Sequence, residues 1–167
     1  MKKVLTLLLL TASVLLAESH STTTSALKIL KETQSTATYE AFYALAQSGD
    51  LDAQALLGEM YLDGIGVSED YAKAFKWLSN AAKKGDPQAE YLLGHMYENG
   101  LYVSADVAKA VEWYTKAAQG GDIMAQYSLA LIYKEGKGNV AKDMQKAFKW
   151  LKMVERDKDT LIKTAMK

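Results

Sequence analysis

A self-similarity with a period of 36 residues constrains this chain more than any other feature it carries. The stretch "DAQALLGEMYLDGIGV" from Asp52 aligns with "QAEYLLGHMYENGLYV" from Gln88, and then with "MAQYSLALIYKEGKG" from Met124. Ala53, Ala89 and Ala125 correspond, as do Leu57, Leu93 and Leu129, Tyr61, Tyr97 and Tyr133, and Gly64, Gly100 and Gly136. One extra residue near Asn139 shifts the third copy to an offset of 37, after which Ala74, Ala110 and Ala147 align, followed by Trp77, Trp113 and Trp150. The pentapeptide "KAFKW", present at Lys73 to Trp77 and again at Lys146 to Trp150, is the visible edge of this repetition. A fixed period in the thirties marks an array whose units cannot bury their apolar faces alone and stack on their neighbours.

Each unit reads as a pair of helices. Ala53, Leu56, Leu57, Met60 and Tyr61 recur at helical spacing, and Tyr71, Ala74, Phe75, Leu78, Ala81 and Ala82 form a second stripe of the same period. Between them "DGIGVSED" predicts a turn, with Gly64 and Gly66 able to take positive φ and Asp70 placed to cap the second helix. Gly49-Asp50, Gly85-Asp86 and Gly121-Asp122 punctuate the units: glycine suits the residue just past a helix end, aspartate the cap of the next helix, and Pro87 the first helical position. No such pair falls near Lys158, where the sequence turns polar. The units are thus expected at 52–86, 87–122 and 123–158, with a tail at 159–167. Residues 18–51 supply N-terminal capping helices or a half repeat, "SALKILKETQ" being the first candidate helix. The repeated alanines and glycines let helices approach closely, and the tyrosines and tryptophans are expected to fill the helix interface.

The first seventeen residues, "MKKVLTLLLLTASVLLA", place two lysines before an apolar stretch of 14 residues, which reads as a secretory signal peptide. A spanning helix needs about 20 apolar residues. Cleavage after Ala17 or after Ser19 fits equally, and loss of Lys2 and Lys3 takes the net charge from zero to −2. With no cysteine there is no lipid-anchor site, disulfide framework or thiolate ligand, so the processed protein is expected free in the periplasm or secreted, held by packing alone. A balanced charge lacks the basic footprint of nucleic-acid binding. The expectation is a monomer that, once processed, engages neither nucleic acid nor membrane.

The pattern Ala-x-x-x-Leu-Gly-x-x-Tyr-x-x-Gly-x-Gly-Val, then Asp-x-x-Lys-Ala-x-x-Trp-x-x-x-Ala-Ala-x-x-Gly, resembles the Sel-one-like repeat, a relative of the tetratricopeptide repeat. The resemblance covers Asp52 to about Val154. Departures are Tyr102 where glycine is usual, Ala130 for the first glycine of the third copy, and Val154-Glu155 for its alanine pair. It implies an all-α, right-handed α/α solenoid, a scaffold binding other proteins, and first helices lining the concave face.

Positions shared by all copies are expected to pack, and positions that vary to lie at the surface. On the first helix the varying positions are Ala55, Tyr91 and Tyr127, then Glu59, His95 and Leu131, then Leu62, Glu98 and Lys134, at spacings of four and three. Tyr91, His95, Glu98, Tyr127, Leu131 and Lys134 therefore form the candidate site for a protein or peptide partner, with the tyrosines as anchors. Some cysteine-rich exported members of the resembled family are described as penicillin-binding or weakly β-lactam-hydrolysing, which sets a hydrolase beside the scaffold as the alternative. Ser25-Ala26-Leu27-Lys28 matches Ser-x-x-Lys, yet neither Ser-Asp-Asn nor Lys-Thr-Gly follows it. His95 and Glu98 are too few to hold a metal, with His20 near the cleavage point. The glycines of "GIGV" and "GKGN" join helices and form no phosphate loop. No catalytic residue, metal or cofactor is expected.

Overall fold

Three glycine-aspartate pairs divide the folded chain as they divide the sequence. The computed structural model describes residues 36–165, with side chains from 39 to 159. The signal peptide, the candidate helix "SALKILKETQ", Ser25 and Lys28, His20 and the last two residues lie outside that range. The described residues form seven helices and no strand: α1 (Thr36–Gln47), α2 (Leu51–Asp63), α3 (Tyr71–Ala82), α4 (Pro87–Asn99), α5 (Val107–Gln119), α6 (Ile123–Glu135) and α7 (Met144–Ala165). They fall into two compact units, one ending at Ala81 and the other beginning at Ala82.

The first helix of each repeat begins in the same way. Asp50, Asp86 and Asp122 accept the backbone N–H of Ala53, Ala89 and Ala125 at 2.8, 2.7 and 2.7 Å. These bonds satisfy donors that a helix start leaves open. The second helices have their own recurring start. Asp70, Asp106 and Asp143 accept the N–H of Lys73, Lys109 and Lys146, while their own N–H groups bond the carbonyls of Tyr61, Tyr97 and Tyr133. Each lysine also pairs with its aspartate and lies over the ring of that tyrosine, at 5.1, 5.5 and 4.9 Å from the centroid. The leading lysine of both "KAFKW" copies is therefore half of a clasp that closes the turn between paired helices.

In the first unit, Phe42 and Ala46 of α1 pack with Ala53, Leu56, Leu57 and Met60 of α2 and with Ile65 of the turn. Leu78 of α3 closes on Gly58, where a Cβ would stand 2.4 Å from the leucine Cγ. In the second unit, Val107, Ala110, Tyr114, Ala117 and Ala118 of α5 join Ala125, Leu129 and Ile132 of α6. Tyr114 lies across Gly94 of α4, where a Cβ would meet the ring at 2.6 Å. One position per repeat is thus kept without a side chain so that a large residue of the second helix can cross it.

Three expectations are corrected. The tryptophans sit at the border of the core: Trp77, Trp113 and Trp150 are half-buried, and the fully buried residues are their C-terminal neighbours Leu78 and Tyr114. Phe148, expected in the interface with Phe75 and Val111, is 59% exposed. Variation between copies also fails as a sign of exposure, because Ala55 and Leu62 of the variable stripe are both buried. The C-terminal helix, finally, runs through the expected boundary at 158 to Ala165, giving α7 22 residues where its counterpart α5 has 13.

Candidate functional site

All six candidate residues belong to the second unit, three on α4 and three on α6. On α4, Tyr91 lies half-buried against Tyr114, ring centroids 5.6 Å apart and tilted by 33°. His95, one turn on, is half-buried, and among the described residues its Nδ1 is enclosed without a hydrogen-bond partner. Glu98 closes the stripe, accepting the Tyr114 hydroxyl at 2.6 Å and the Lys137 ammonium at 2.8 Å. On α6, Tyr127 is 46% exposed, Leu131 is half-buried and Lys134 is exposed in the last turn.

Tyr114 was not singled out by the repeat comparison, and it connects the two halves of this face. Its phenol donates to Glu98 of α4 and also bonds the side chain of Ser128 on α6. Burial, followed by the bond to Glu98, pushes its ionisation well above the usual tyrosine range. Burial works against ionisation of Glu98 as well, yet the bonds from Lys137 and Tyr114 outweigh it and hold the carboxyl below its ordinary value. The face is thus ordered by one charged acceptor with two donors, leaving Tyr127 and Lys134 free to reach outward. A signal for Tyr114 did exist: its equivalents Leu78 and Leu151 are also large and apolar, each just after a repeated tryptophan.

A second set of buried polar groups was missed for the same reason. Gln54, Glu90 and Gln126 occupy one repeat position, and all three are buried. Gln54 and Gln126 donate their side-chain N–H to the carbonyls of Ala46 and Ala118, eight residues earlier, at 3.0 and 3.4 Å. Gln126 also donates to Asp157 of α7 at 2.7 Å. Ionised Glu90 has no proton to give in that way; burial, then Lys116 and Asp86 with opposing effects, leaves its carboxyl above the ordinary value. Among the described residues no cluster of three or more His, Cys, Asp or Glu side chains could hold a metal ion, and no helix is long and apolar enough to cross a membrane.

The Sel1 repeat model matches three consecutive stretches, residues 51–86, 87–122 and 123–153, which carry the capped helix pairs described above. The chain belongs to the Sel1 repeat family. Its all-α class and three-repeat solenoid organisation follow, with the first two unit boundaries within one residue of those drawn from the sequence. It is similar to c5321, a protective antigen present in uropathogenic Escherichia coli strains that displays an SLR fold, at 35% identity and a TM-score of 0.68 over 71% of this chain. It is also similar to a Sel1 repeat protein from Oxalobacter formigenes, at 29% identity and a TM-score of 0.69 over 84% of this chain. The chain spans 26% of the first structure and 59% of the second. No curated protein sequence matches it. Sel1 repeats generally serve as protein–protein interaction scaffolds without enzymatic activity, and nothing here points to a hydrolase.

Proposed function

We propose that this protein is an exported scaffold whose second unit binds a partner protein or peptide on the first-helix face built by Tyr91, His95, Glu98, Tyr127, Leu131 and Lys134. The observation that carries the reading is an exposed aromatic on an ordered frame. Tyr127 presents 46% of its surface, in a face whose neighbouring Tyr91 and Glu98 are already fixed by Tyr114 and Lys137. A rigid aromatic beside prearranged charges binds with little ordering cost, the arrangement that hot spots favour. Export and a periplasmic or secreted location rest on the N-terminal seventeen residues alone.

Whole-cell crosslinking with mass spectrometry would identify the partner. Tyr127→Ser and Lys134→Glu together test the face, because both side chains reach solvent and their loss leaves packing intact, whereas Tyr91→Ser also removes a contact with Tyr114. Loss of the captured partner from a folded double variant is expected. Undiminished capture would remove the proposal.

A further inference from the structure

The outer side of α7 carries large apolar residues that the same repeat positions elsewhere keep covered. Met144 is 41% and Phe148 59% exposed. Their equivalents one repeat earlier, Val107 and Val111, are respectively buried and packed against the α5–α6 core. What covers those valines is the following repeat, and after α7 no further repeat follows in the chain. Continuing along the helix at spacings of four, three and four, the same side carries exposed Lys152, Glu155 and Asp159, with exposed Lys142 just before the first turn. Among the described residues neither Lys142, Lys152, Glu155 nor Asp159 forms an ion pair. The side is therefore apolar and basic towards its N-terminal end and acidic towards its C-terminal end.

That order is complementary to itself when reversed. We infer that the outer side of α7 is a docking surface for the α7 of a second copy, packed antiparallel across a twofold axis at Phe148. Phe148 then stacks on its symmetry mate, and Met144 lies along the aliphatic stem of the facing Lys152. Lys142, six residues below the axis, meets Glu155, seven residues above it, and the pairing occurs twice, as an isologous contact requires. At 1.5 Å per residue these positions stand at about 9 and 10.5 Å from the axis, within reach of a lysine and a glutamate. The nine residues by which α7 outlasts α5 lengthen the side available for this contact. An acidic foreign helix or an anionic lipid surface would fit the lysines but gain nothing from Glu155 and Asp159.

Sedimentation equilibrium of the purified, processed protein tests this directly. A monomer–dimer equilibrium in the micromolar range is expected, weakened about tenfold or more by Phe148→Ser. Lys142→Glu and Glu155→Lys should each weaken it and the double variant should restore it, since the swap reverses the pairing without removing it. Melting curves confirm that each variant is folded, and the two charge variants carry the test if Phe148→Ser proves unstable. A protein that stays monomeric across that range overturns the inference. So does a dimer indifferent to all these changes, or a double variant weaker than either single one. Binding of anionic phosphatidylglycerol vesicles by a monomeric protein would assign the surface to a membrane instead.

Discussion

Two residues depart from their repeat equivalents in ways that have a measurable cost. Gly66, Tyr102 and Gly138 share one turn position and all hold φ near +60°, at 69°, 66° and 57°. That region penalises a side chain, so Tyr102→Gly should stabilise the protein by about 1 kcal/mol, read as a higher urea midpoint with an unchanged slope. Glu90 stands where the other copies use glutamine to donate to a backbone carbonyl. Its carboxyl is held above the ordinary value in the fold, so ionisation favours the unfolded chain. The penalty is absent at low pH, where both states are protonated, and develops as pH rises through the unfolded value towards the folded one. Glu90→Gln should therefore stabilise by about 1 kcal/mol at neutral pH and by little below about pH 4, as urea melts across that range would show.

At the scale of the helix, caps and the Tyr114 network carry separable contributions. Asp50→Ala removes the acceptor for the Ala53 N–H and should cost about 1 kcal/mol without altering the helical content of the folded state. Glu98→Ala strands the buried Tyr114 hydroxyl and frees Lys137, at a cost of roughly 1–3 kcal/mol. Because the folded carboxyl lies below its unfolded value, the contribution of Glu98 is complete above the unfolded value and fades as pH falls through the folded one. The gap between wild type and Glu98→Ala should narrow in acid, the opposite trend to Glu90→Gln. The exposed Asp–Lys–Tyr clasps of the turns contribute less each, since surface ion pairs are screened.

Across the whole molecule, equivalent positions are equivalent only where a neighbouring repeat covers them. Leu57, Leu93 and Leu129 are all at most 1% exposed, and each leucine-to-alanine change should cost roughly 2–5 kcal/mol. Phe148→Ser, at the end of the array, should move monomer stability by no more than about 0.5 kcal/mol. Equal costs at all four positions in chemical denaturation would mean that α7 is covered in a way that the described residues do not show.

The repeat length, helix pairs, glycine turns and aspartate caps were legible in the sequence because they obey local rules: a left-handed residue after a helix, an acceptor before the next, a stripe at helical spacing. The candidate face was legible only in part. Comparing copies found Tyr127 and Lys134, but it placed the tryptophans too deep and passed over Tyr114, Gln54, Glu90 and Gln126. The period identifies which positions are held the same, whereas burial depends on what lies opposite, and a variable position can be buried wherever its partner adjusts. Leu78 over Gly58 and Tyr114 over Gly94 fill equivalent crossings with different side chains. The sequence by itself therefore determined the array and its punctuation, through backbone geometry that each residue sets locally. Only the tertiary structure decided depth: that Glu98 is committed to Tyr114 and Lys137, that Glu90 is enclosed, and that Phe148 is left at the surface, because each depends on atoms contributed by a different helix.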